Sequence, residues 1–95
     1  MNNIQLDPNQ TAEIMKTSDY PLAATLNVLG FDVIGIDKGN IKRVLFYFKR
    51  TQELDRNIEQ YLKNEIRVSP VDYERSKKQL RTHIFTDYES HHKEY

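Results

Sequence analysis

A 95-residue chain without a single cysteine has no disulfide and no thiolate zinc site to staple it, so its fold must be held by packing around one core. A chain of this length buries only about 60 to 65% of the surface that its unfolded form exposes. Hydrophobic residues make up 38% of the sequence, enough for one core, and the 29% that are charged predict a well-solvated exterior. No apolar run approaches the roughly 20 residues that cross a bilayer. The start Met1-Asn2-Asn3-Ile4-Gln5 lacks the basic-then-apolar pattern of a secretory signal, which predicts a cytoplasmic protein with no membrane partner.

Apolar periodicity is confined to the middle of the chain. Residues 1–12 read as a polar N-terminal arm, 13–86 as a single α+β domain and 87–95 as a polar C-terminal tail, with no internal repeat or Gly/Ser linker between them. Glu13 to Thr17 has the alternation of a short strand. Thr17 or Ser18 can cap a helix over about 18–29, with Asp19 and Pro21 in its first turn, Leu22, Leu26 and Leu29 on its buried stripe and Gly30 as its stop. Residues 31–37 and 41–49 then form a β-hairpin about the turn at 37–40. Val44, Phe46 and Phe48 form its core face, and Leu45 and Tyr47 point away. Thr51 caps a second helix, to about 64, with Leu54, Ile58, Tyr61 and Leu62 at helical spacing. Ser69 and Pro70 open a third, over about 70–85, buried along Tyr73, Leu80 and Ile84.

The fold class is therefore α+β: a small antiparallel sheet built on the hairpin, with three helices. If the segments at 13–17 and 66–68 are both strands, the order is the βαββαβ of ferredoxin-like domains plus a C-terminal helix. If they are not, a hairpin-centred sheet covered by helices remains.

The run Met15-Lys16-Thr17-Ser18-Asp19-Tyr20-Pro21-Leu22-Ala23-Ala24, then Leu29-Gly30-Phe31, Ile34-Gly35-Ile36-Asp37 and Val44-Leu45-Phe46-Tyr47-Phe48, resembles a small family of domains of unknown function found in bacteria, archaea and their viruses. The resemblance extends over about residues 13–85. It implies a microbial or phage protein and those domain edges, and it implies no activity, cofactor or catalytic residue.

Charge is balanced overall, fourteen basic against fourteen acidic, but unevenly placed. Residues 1–40 hold Lys16 and Lys38 against Asp7, Glu13, Asp19, Asp32 and Asp37, which leaves the net positive charge to the C-terminal part. Arg75, Lys77, Lys78 and Arg81 lie on the exposed side of the third helix, where cations on one face can track a phosphate backbone. The run from Val44 to Arg50 is similar to the aromatic strand on which RNA-binding sheets stack bases, but it lacks the glycine between aromatics, and only Tyr47 points away from the core. Tyr20, Tyr47, Tyr88 and Tyr95 are candidate interface residues, since tyrosine buries area and keeps a polar handle. His83, Asp87 and His91 would share a line if the last helix ran on, but a helix ending near Phe85 and the lack of a fourth ligand predict no metal.

No phosphate-binding glycine loop, nucleophile elbow or H-E-x-x-H is present, and the chain reads as a non-enzyme without a cofactor. The expected function is binding of nucleic acid or a nucleoprotein complex by the basic C-terminal helix. The alternatives are a protein-interaction module, such as a phage-encoded inhibitor or a homo-oligomer, and a sponge for small nucleotides.

Overall fold

A computed structural model describes the backbone of residues 13–93 and the side chains of residues 13–85. The expected N-terminal arm and Tyr95 lie outside the described residues. The elements are β1 (Ile14–Thr17), α1 (Tyr20–Val28), β2 (Val33–Asp37), β3 (Leu45–Lys49), α2 (Gln52–Leu62) and α3 (Pro70–Lys93). They form an α+β domain with a three-stranded sheet in the order β1-β3-β2.

Both outer strands run antiparallel to β3, so β1 and β2, joined through α1, are parallel to each other with β3 between them. This is the split βαβ arrangement shared by ferredoxin-like folds. Their fourth strand is missing, because residues 65–69 have no regular structure. Asn64 turns the chain at φ 61, and the Arg67 guanidinium donates to the carbonyls of Asn64 and Ile66, which folds this segment onto itself. The strand expected at 13–17 does form, and the one at 66–68 does not.

Phe46 and Phe48 are buried at 2% and 0% exposure, flanked across the sheet by Met15 and Thr17 on β1 and by Val33 and Ile36 on β2. Val33 and Ile36 are three residues apart and would face opposite ways in a regular strand. A bulge between Val33 and Gly35 resolves this. It turns both toward the core and leaves Ile34 53% exposed. On the other face Tyr47 lies opposite Gly35, with the Lys16 ammonium 5.2 Å from its ring centroid.

Helix α1 is the centre of the domain. Leu22, Ala23, Ala24, Thr25 and Leu26 are all buried, because α1 is packed by the sheet on one side and by α3 and α2 on others. The sequence predicts a stripe, yet Leu29 is exposed and the consecutive Ala23 and Ala24 are fully covered. Its cap is Asp19 rather than Thr17 or Ser18. The Asp19 carboxylate accepts from Leu22 N at 3.1 Å, while Thr17 Oγ1 accepts from Asp19 N at 3.0 Å, one step outside the helix. At the other end Gly30 has φ +106, with its N–H on Asn27 O and the Phe31 N–H on Leu26 O, the Schellman pair that only a left-handed residue allows.

Helix α2 is capped by Thr51, whose Oγ1 accepts from Leu54 N at 3.0 Å. Leu54 is fully buried and Ile58 and Tyr61 pack beside it, but Leu62 is 74% exposed and is not part of the stripe. Thr51→Ala is expected to cost about 1 kcal/mol, lowering Tm by roughly 4–8 °C in a thermal melt followed by circular dichroism. An unchanged Tm would mean that Thr51 does not set the start of this helix.

Candidate functional site

Helix α3 begins as its sequence requires. Ser69 Oγ accepts from Asp72 N at 3.4 Å, and Pro70 takes the first turn, where its missing N–H is not needed. Its inner line consists of Tyr73, Ser76, Leu80 and Ile84. Ser76 is 3% exposed, and its hydroxyl donates to Ala24 O at 3.0 Å, which satisfies it against the backbone of α1. The helix does not stop near 85 but continues to Lys93. Neither Gly nor Pro occurs between 86 and 93, so nothing local ends it. His83, Asp87 and His91 thus follow one line of backbone, although the side chains of Asp87, Tyr88 and His91 lie outside the described residues. Among the described residues no three His, Cys, Asp or Glu side chains are grouped as metal ligands.

The four expected cations divide into two kinds. Arg75 is 3.3 Å from Asp72, and Lys77 is half-buried, 3.8 Å from Glu74 with its ammonium 5.4 Å from the Tyr73 ring centroid. Their charge is largely matched within α3. Lys78 and Arg81 are exposed and form no ion pair among the described residues. They also face different sides: Lys78 and Arg75 border a groove shared with Asp32 and His83, and Arg81 borders another.

That second groove brings in residues that sequence reasoning missed. It is an open cleft of about 400 Å³ between the start of α1, the 38–44 loop and α3, and it holds Lys42, Arg43 and Arg81 with no carboxylate among its described lining residues. Lys42 and Arg43 were expected in a strand over 41–49, but β3 begins only at Leu45. Asn40 accounts for the difference. Its side-chain oxygen accepts from Lys42 N at 3.0 Å and its carbonyl from Arg43 N at 2.9 Å, which takes both N–H groups away from the ladder. A signal was available in the sequence: Lys38 to Arg50 contains five cations and no carboxylate. The groove floor is apolar, with Tyr20, Val44, Phe46 and Ile84, and its rim carries Ile41 and Phe85, exposed at 51% and 44%.

All three walls are tied together. The Tyr20 hydroxyl donates to the carbonyl of Lys77, its ring stacks on Phe46 at a centroid distance of 6.0 Å, and Lys38 Nζ donates to Ile84 O at 3.3 Å. Tyr20 is thus engaged on the core side of β3, whereas Tyr47 faces the opposite side, and the two do not share a surface. The Tyr61 phenol is held above its usual value of 10.0, first by desolvation and then by the fields of Asp19 and Tyr73. It stays protonated throughout the physiological range.

Fold and site together define a small split-βαβ domain whose last helix is flanked by a cationic groove. A family model, domain of unknown function DUF5659, matches residues 12–86, and the chain belongs to this family. The match agrees with the span of about 13–85 over which the sequence resembles such a family. No curated protein and no solved structure matches the chain. Among the described residues no helix is long and apolar enough to cross a membrane.

Proposed function

We propose that this domain is a non-enzymatic binding protein of a microbe or phage, acting in the cytoplasm, that contacts nucleic acid, alone or within a nucleoprotein complex, along α3 and the adjoining 38–44 loop. The observation that supports this is the convergence of Lys42, Arg43 and Arg81 on one groove with no carboxylate among its described lining residues, with Lys78 exposed on the same helix. Cations without acidic partners are the groups that release counterions when a phosphate takes their place.

Titration of a fluorescent oligonucleotide between 50 and 200 mM salt tests the proposal. With four such cations engaged, the slope of log K against log salt is expected to be about −3 for a single strand and about −3.6 for a duplex. Absence of binding at the lowest salt sinks the proposal.

A further inference from the structure

The groove carries more than charge, and its second component points to a particular form of nucleic acid. Resting on the binding reading above, we infer that the groove between the 38–44 loop and α3 seats an unstacked nucleotide of a single strand, with Phe85 against the base and Arg81, Lys42 and Arg43 on the flanking phosphates.

Phe85 is 44% exposed although it is a large aromatic, and it stands one helical turn beyond Arg81 on the same side of α3. Residues four apart on a helix have Cβ atoms about 5–6 Å apart. An aromatic face and a guanidinium at that spacing suit the base and the phosphate of one nucleotide. Across the groove Ile41 adds apolar surface beside Lys42 and Arg43, so both walls pair an apolar residue with cations.

A duplex offers phosphates but keeps its base faces stacked, and it can use only the cations. A single strand can use both parts, which is the combination found where proteins bind unpaired nucleic acid. The cleft is open rather than enclosed, so a strand can lie along its described walls. Its 400 Å³ lies at the lower end of ligand-sized cavities, about one nucleotide.

The test compares fluorescence anisotropy of the full chain on a twelve-nucleotide oligo-dT or oligo-U, a duplex of equal length and a labelled mononucleotide. Phe85→Ala is expected to weaken single-strand binding by about 5- to 150-fold, leave duplex binding and the salt slope unchanged, and be rescued by Phe85→Tyr. Phe85 is exposed enough for both variants to fold, and Phe85→Leu, read beside a thermal melt, keeps apolar bulk without an aromatic ring. An unchanged affinity of Phe85→Ala for the single strand, or an equal loss on both oligonucleotides, overturns the base seat while the cationic interface stands. A mononucleotide that binds as tightly as the twelve-mer overturns it in favour of a free-nucleotide site. If no oligonucleotide binds at low salt, both readings fail together.

Discussion

Phe48→Ala is expected to destabilise the domain by about 3–5 kcal/mol, the cost of a cavity where a fully buried aromatic stood. Phe48 is 0% exposed on the central strand, with Met15 opposite it on one side and Val33 on the other, and it belongs to the buried cluster that includes Leu22, Leu26, Leu54 and Leu80 of the helices. A domain of this size is stable by roughly 5–14 kcal/mol in total, so the variant should lose a large part of its margin and melt more than about 12 °C lower. Tyr47→Ala, one residue away on the other face, removes a comparable ring from a partly exposed position and should cost much less. Urea titration of the two variants separates the faces. Equal losses would mean that the helices do not cover the Phe46 and Phe48 side alone.

The second large effect concerns binding. Reversing Lys42, Arg43, Lys78 and Arg81 together to glutamate is expected to lower affinity for any oligonucleotide on the order of 100-fold or more at low salt, and to reduce the salt slope by about 3. Neutralising Arg75 and Lys77 to glutamine removes two charges already faced by Asp72 and Glu74, so the loss should be smaller by roughly an order of magnitude. The contrast matters more than either number. If the Arg75/Lys77 variant proved as damaging as the fourfold reversal, the cations paired within α3 would carry binding as much as the unpaired ones. All six side chains are at least partly exposed, and a thermal melt of each variant distinguishes lost binding from lost fold.

The parts of this fold that were legible in the sequence are those decided locally. Thr51 and Leu54 announce α2 because a hydroxyl cap and a 3.6-residue period are written in adjacent residues, and Ser69-Pro70 does the same for α3. Phe46 and Phe48 identify the core face of β3 by simple alternation. What escaped depends on partners distant in the chain. Leu22 to Leu26 are buried on consecutive positions because three different elements surround α1, and no period within α1 encodes that. The bulge at Ile34 is set by the pairing of β2 with β3. Arg75, Lys77, Lys78 and Arg81 were legible as a basic helix, but their division into matched and unmatched charges, and the approach of Lys42 and Arg43, required the folded chain.

The Tyr20 hydroxyl on the Lys77 carbonyl and the Lys38 ammonium on the Ile84 carbonyl fasten α1 and the 38–44 loop to the same stretch of α3. Because both ties are made within the folded domain, they hold the walls of the cleft together without a ligand. If a single strand binds there as proposed, association needs little reordering of the protein, and the entropy lost falls mainly on the incoming strand. Encounter should be fast and steered by charge, and differences among sequences should appear in how long a strand stays, not in how quickly it is found.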